Sequence, residues 1–342
     1  MNLSNSKPLI NREQTYVVDR KLVSVHSEDR DITKWTNSNM FEIMLPEQLL
    51  NVQSMRLIQS TFPPSIYTFS DQYQNTKMQF TIHNTTYELT IQGGTYNPEQ
   101  LILELTNKMN KLSYVDNGGY FNIFYDEVGK KIWFGHTDAS FNLNFDLQSK
   151  YEPKCDQPVV FNNYAKWGLP YYLGFNKELY SSKTDMSGIT FDFICPNNST
   201  VSDADLIKHY YDAPFALNLT GETCIYMEID KYNSYDEIYP YNQSSRQMFD
   251  NNAYSGKINS AFAKIPIKDE YSRDSRTFYL HNLVHYDPPI ERIARLKFKF
   301  RFHDGRLVDF QHFPFDFTIE FNSLRNEIEK KYNVRIPATY IL

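Results

Sequence analysis

The tightest constraint on this chain is the stretch Leu296-Lys297-Phe298-Lys299-Phe300-Arg301-Phe302, in which large apolar and cationic side chains alternate without a break. Successive side chains of a strand leave on opposite faces, so Leu296, Phe298, Phe300 and Phe302 form a dry face and Lys297, Lys299 and Arg301 a wet one. A helix cannot sort that period. Shorter stretches of the same kind recur from Met40 to Phe321, and sheets patterned this way must stack to hide their dry faces.

The first strands are expected over 40–45, stopped by Pro46, and over 52–58, before Pro63-Pro64, which cannot sit in a central ladder. A hairpin is expected between 78–82 and 87–91, joined through Asn84-Thr85-Thr86 and closed by Gly93-Gly94. Another flanks Asp126–Lys130, with 141–145 as its third strand. Residues 224–229, 260–265 and 315–321 complete the set. Asp304-Gly305 signals a hairpin turn. A two-residue turn there sets Phe302 beside Leu307 and then Phe300 against Asp309, so that ladder must be short or bulged.

One helix has a complete start signal. Asn97 suits the N-cap, Pro98 the first turn and Gln100 the return half of a capping box. Leu101, Ile102, Leu105, Met109 and Leu112 follow as one apolar stripe, which reads as core rather than as a cofactor surface. A terminal helix is expected over 323–332, capped by Asn322, and a short one over 202–211.

The fold class that follows is mainly β: a jelly-roll-like β-sandwich with an inserted helix and long loops, or two smaller sandwiches in tandem. Residues 1–36, polar and mixed in charge, read as an extended N-terminal arm without a core. Residues 37–322 form the elaborated sandwich, with an irregular insertion near 147–221 expected as long surface loops reaching neighbours. Residues 323–342 form the C-terminal helix and tail.

A net charge of −6 argues against a nucleic-acid binder. Cys155, Cys195 and Cys224 contain no CxxC pair, which suits a reducing compartment and supplies neither a disulfide framework nor a zinc site. The first residues lack the apolar stretch of a signal peptide, and no uninterrupted apolar run is long enough to cross a bilayer.

Candidate chemistry reduces to structure. His281 and His285, four apart, would pair on a metal only in a helix, and their surroundings favour strand and turn. Gly93-Gly94 and Gly118-Gly119 lack the strand-to-helix context of a phosphate loop. Ser202-Asp203-Ala204-Asp205 reads as helix capping, and Glu28-Asp29-Arg30-Asp31 as a solvated or partner-binding segment. The run Arg292, Arg295, Lys297, Lys299, Arg301 needs no nucleic acid, since Asp316 and Glu320 on the next strand are expected to face it. No catalytic, cofactor-binding or metal-binding residue is assigned, and the chain reads as a non-enzyme. The competing classes are a glycan- or receptor-binding module, with Trp167 and Tyr171-Tyr172 as its platform, and an enzyme built on paired carboxylates.

One ordered set of motifs is more specific. It runs through Ser27-Glu28-Asp29-Arg30-Asp31, Phe41–Pro46, Asn51–Leu57, Ile66-Tyr67 and Gly93–Leu101. It continues through Leu173-Gly174-Phe175, Ala261–Ile265, Pro288-Pro289-Ile290 and Asp304-Gly305. In order, these resemble the minor capsid or penton-type proteins of large icosahedral double-stranded DNA viruses, over about residues 27–321. The resemblance implies a structural virion component that occupies pentameric vertices or cements capsomers, assembled in the host cytoplasm. The implied partners are the major capsid protein, other minor capsid proteins and further copies of itself. It implies no cofactor and no direct contact with nucleic acid.

Overall fold

A computed structural model of the chain describes residues 16–63, 66–113, 119–152, 159–184, 207–236, 260–267 and 283–326. The protein is mainly β, with antiparallel sheets and two apolar cores. The chain begins with β1 (Tyr16–His26) and β2 (Met40–Thr61). It continues through β3 (Lys77–Ile82), β4 (Thr85–Thr90), α1 (Pro98–Ser113), β5 (Phe121–Asp126), β6 (Lys131–His136) and β7 (Phe141–Asn144). Two single helical turns, α2 (Val160–Asn163) and α3 (Leu169–Tyr172), precede β8 (Leu179–Ser181) and β9 (His209–Asp212). The last part holds β10 (Cys224–Ile229), β11 (Tyr235–Asp236), β12 (Ser260–Ala261), β13 (Ala263–Pro266), β14 (Val284–Arg301) and β15 (Asp316–Asn326).

The two cores are nested in sequence rather than arranged in tandem. The outer unit is a six-stranded sheet in the order β1-β15-β2-β14-β10-β13, built from both ends of the described chain. Its dry face carries Phe41, Phe298, Phe300 and Phe317, covered by Phe62, Phe310 and Phe315. The rings meet stacked, tilted or edge-on, with centroids 4.3 to 6.5 Å apart, close enough for aromatic pairs to attract. The inserted unit spans residues 69–219. It packs the sheet β4-β3-β7-β8 and the sheet β5-β6-β9 around one core.

Helix α1 packs against β4 and β5, and its start is the expected one. The Gln100 N–H donates to Asn97 Oδ1 at 2.8 Å, while Gln100 Oε1 accepts the Asn97 N–H at 3.1 Å. Leu101, Leu105 and Met109 are fully buried. Farther along, Asn110 donates to the Phe121 carbonyl and accepts its N–H, which pins the helix to β5.

Several expectations need correction. Residues 16–26 are no free arm: β1 pairs with β15 from Tyr16↔Asn326 to His26↔Asp316 and buries Val25. Ser323–Asn326 continue β15 instead of opening a helix, because β1 offers them a ladder. The rest of that expected helix lies outside the described residues, as does the first half of 202–211, whose described half runs into strand β9 paired with β6. β7 is a strand, but it joins β3 and β8 rather than the β5–β6 hairpin. The β3–β4 turn falls on His83-Asn84, both at positive φ, one residue earlier than expected.

The 147–221 stretch is only in part surface loop where it is described. Trp167, Leu169, Tyr172, Leu173, Phe175 and Tyr180 enter the inserted core. Pro288 and Pro289 lie within β14, at a register break against β2 between His285 and Ile290, where ladder hydrogen bonds are not required of them.

The Asp304-Gly305 hairpin resolves as a bulge. The Gly305 N–H donates to the Phe302 carbonyl and the Phe302 N–H to the Arg306 carbonyl, with Gly305 at φ +89°. This three-residue loop shifts the pairing by one. Phe300 therefore meets buried Val308 instead of Asp309.

Candidate functional site

The most concentrated arrangement of polar groups lies where the chain passes between the two units. The outgoing crossing supplies Tyr73, the returning one Glu222, the inserted unit Lys166 and the outer hairpin Arg306. Arg306 is buried. Its Nη2 lies 2.9 Å from Glu222 Oε1 and its Nε 2.6 Å from Asp304 Oδ2. The second oxygen of Glu222 takes Lys166 Nζ at 2.9 Å. The guanidinium stacks 4.9 Å over the Tyr73 ring, which meets Phe302 edge-on at 5.6 Å. The Tyr73 hydroxyl accepts the Asp309 N–H at 3.1 Å.

Burial alone would discharge Arg306. The Asp304 carboxylate, with Tyr172, Glu222 and Tyr73, overcomes it and raises the pKa. Burial likewise works against the Lys166 ammonium, and Glu222 raises it above its ordinary value. The Tyr73 hydroxyl is pushed up by burial. The cluster is thus charged, with each cation held by a carboxylate, while Arg306 Nη1 is buried without a hydrogen-bond partner among the described residues. Through Glu222 it forms a joint between the outer hairpin and Lys166 of the inserted unit. Nothing local in the sequence marks it, since Lys166, Glu222 and Arg306 lie far apart in the chain.

The residues singled out from sequence are dispersed. His285 is exposed on β14, and His281 lies outside the described residues, as does Ser202–Asp205. Glu28–Asp31 folds a loop. Asp29 accepts the His26 N–H, Asp31 accepts the Thr33 N–H and hydroxyl, and Arg30 donates to the carbonyls of Ser27, Trp35 and Thr36. The Thr33 hydrogen bonds hold Asp31 below the usual carboxylate range. Gly94 pairs with Phe69 in a single bridge, and Gly119 is a positive-φ turn residue. Among the described residues no group of three or more His, Cys, Asp and Glu is placed to hold a metal, and no helix is long and apolar enough to cross a membrane.

The basic run finds carboxylates, though not the expected ones. Lys297 is in register with Glu42 and Lys299 with Glu228, and Arg301 Nε lies 3.1 Å from Glu228. Arg301 is buried rather than wet, and it donates to the Gly305 carbonyl at 2.7 Å. Asp316 pairs across to Thr61, and Glu320 holds Arg20 at 2.6 Å and Arg56 at 2.9 Å. The reason is strand order: β14 lies between β2 and β10, and β15 is not its neighbour.

Of the expected glycan platform, Trp167 and Tyr172 are buried and Tyr171 is half-buried. Trp167 is only 8% exposed, with Phe161 edge-on at 5.5 Å and the Lys177 ammonium at 5.6 Å from its ring. Tyr172 is 3% exposed and packs on Phe69. A cleft beside Trp167, lined by Gln74, Asn144, Tyr151 and Phe161, has room for little more than one water.

These features define the class: an antiparallel β molecule of two nested cores whose described charged clusters hold backbone and strands. No family model matches the chain, and no curated protein is similar to it. Solved structures resemble it over most of its length, among them chains from mavirus and the Sputnik virophage. The mavirus penton protein is 11% identical, with a TM-score of 0.40, covering 90% of this chain and 99% of that one. A chain of the Sputnik virophage, from its cryo-EM structure, is 9% identical, with a TM-score of 0.41, covering 90% of this chain and 98% of that one.

Proposed function

We propose that this chain is a structural component of an icosahedral virus shell, a minor capsid protein of the penton or capsomer-cementing type. It performs no catalysis and acts by shape and by contact with the major capsid protein, other minor capsid proteins and its own copies. Its place is the virion, after assembly in the host cytoplasm. The observation that carries this reading is where the charge goes. Among the described residues, the clusters that sequence singled out cap turns or pair strands, a cluster it did not mark links the two units, and the ordered motif set resembles that of shell proteins.

In a closed shell each contact is repeated around a symmetry axis, so modest interfaces suffice. The test is stoichiometry. Purified particles stripped with detergent are expected to retain this chain at a fixed ratio to the major capsid protein. Recovery in the soluble fraction of infected cells alone would refute the assignment. Sedimentation of the isolated chain separates the two positions: a stable pentamer marks a vertex protein and its absence a cement.

A further inference from the structure

The six-stranded sheet has two edges of unlike character. β13, at one edge, is four residues long and ends on Pro266, which has no N–H to offer. β1, at the other, runs for 11 residues without proline, and among the described residues its outer side has no strand partner. Along it, Val18 and Leu22 are 55% and 52% exposed on one face, with Arg20 between them. Val17, Asp19, Lys21 and Val23 lie half-buried on the other. Exposed apolar side chains on a long, open edge are what proteins ordinarily avoid unless something pairs there.

We propose that the outer edge of β1 pairs with the same edge of a second copy of this chain, antiparallel and centred on Arg20, joining two sheets into one. A two-fold axis normal to the sheet keeps each side chain on its own face, so only registers centred on a residue are allowed. Centred on Arg20, Val18 meets the partner's Leu22, Asp19 the partner's Lys21 and Val17 the partner's Val23. Both exposed apolar residues are then covered, and opposite charges face each other twice.

Neighbouring registers fail. Centring on Lys21 sets Leu22 against arginine, and centring on Asp19 sets Val18 against arginine. These apolar mismatches decide it, since Lys21 and Asp19, like Arg20, have an opposite charge within their own copy, Glu47 and Arg325 respectively. The one like-charge meeting in the favoured register, Arg20 with its equivalent, is compensated within each copy by Glu320 at 2.6 Å. A strand pair is small beside a stable dimer interface, so the contact is weak in solution and gains from repetition. It does not depend on the shell reading and is tested on the isolated chain.

The register makes a prediction that no other pairing shares. Residue 18 of one copy lies opposite residue 22 of the other, while like positions stand about 14 Å apart, beyond the ~7 Å that a disulfide spans between Cα atoms. Val18→Cys and Leu22→Cys chains, mixed and mildly oxidised, are expected to form a disulfide-linked dimer, identified by mass spectrometry of the peptide pair joining positions 18 and 22. Either variant alone is expected to give no such link at its new cysteine. Arg20→Cys alone is expected to link to itself, which covers the case in which a position 18 or 22 variant folds poorly. Absence of the mixed product and of the Arg20→Cys product from folded chains overturns the proposal, as does equal linking in the single-variant samples.

Discussion

The outer and inserted units are both antiparallel and rich in aromatic side chains, yet they are assembled by opposite strategies. In the outer unit, β1 pairs with β15 and β2 with β14, strands from opposite ends of the described chain. In the inserted unit, β3 pairs with β4 and β5 with β6, neighbours joined by tight turns, and α1 carries its own cap. Local contacts cost little loop-closure entropy, whereas the outer ladders must close the whole insertion before they gain anything. The inserted unit is therefore expected to form first and the outer sheet to close around it. The Arg306 joint is expected to couple the unfolding of the two.

The largest effect is expected from breaking that joint. Arg306→Ala leaves the half-buried Glu222 with Lys166 alone and removes the cation over Tyr73. Removing one partner of a buried ion pair costs about 3–5 kcal/mol. Trp35 lies against the outer core, and Trp133 and Trp167 lie in the inserted unit, so each unit can be followed by its own fluorescence after Trp→Phe replacement of the others. Wild-type denaturant curves are expected to coincide. In Arg306→Ala they should separate, and curves that shift together would show that the joint does not couple the units.

Acid is expected to act on the inserted unit first. His136, on β6, is buried against Phe121, and its Nδ1 accepts the N–H groups of Asp138 and Ala139. Burial, with His83 and His209 nearby, pushes its pKa down to about 4. The unfolded chain binds a proton near pH 6.5 and the folded one only near 4. Stability is therefore full above about 6.5 and falls as the pH drops towards 4, by on the order of 3 kcal/mol. His136→Asn keeps an acceptor and cannot titrate. Its stability profile should be flatter over that window, and an unchanged slope would assign the acid response elsewhere.

What could be read in advance follows the same division. The alternation over 296–300 and the Asn97 capping box are local patterns, and both appear as expected, whereas Arg301, at the strand's end, is buried instead of wet. β1 was illegible because Asp19-Arg20-Lys21 interrupts its alternation, and it becomes a strand only through a partner at the far end of the chain. The same ladder overrode the helical signals of Ser323–Asn326. The one-residue shift at Gly305 decided which residue faces Phe300, and no pattern in the apolar residues encodes it. Lys166, Glu222 and Arg306 gave no signal because only the completed outer sheet brings them together.

A smaller effect confined to one unit comes from the cap. Asn97→Ala removes the acceptor for the Gln100 N–H and is expected to cost about 1 kcal/mol. Because α1 packs on β4 and β5, the loss should appear first in the Trp133 and Trp167 signals. An equal shift in the Trp35 signal would mean that the units are coupled too tightly for local loss to stay local.

The smallest effects separate two lysines that sequence treats alike. A cross-strand charge pair contributes roughly 0.2–1 kcal/mol, so neutralising either lysine is expected, on pattern alone, to weaken the sheet modestly. Lys297 fits that expectation: its ammonium lies 5.6 Å from the Trp35 ring and in register with Glu42. Lys297→Met is expected to cost about 0.5 kcal/mol. Lys299 does not, for burial and then neighbouring Arg301 push its pKa down to about 8, against the pull of Glu228. Its folded form releases a proton that the unfolded chain keeps, so this group adds stability as the pH rises from about 8 towards 10. Lys299→Met leaves Glu228 in the hands of Arg301 and is expected to cost nothing at pH 7 while abolishing that rise. If melting at pH 7 and pH 9.5 shows equal losses for the two variants, the attraction of Glu228 outweighs the burial of Lys299 after all.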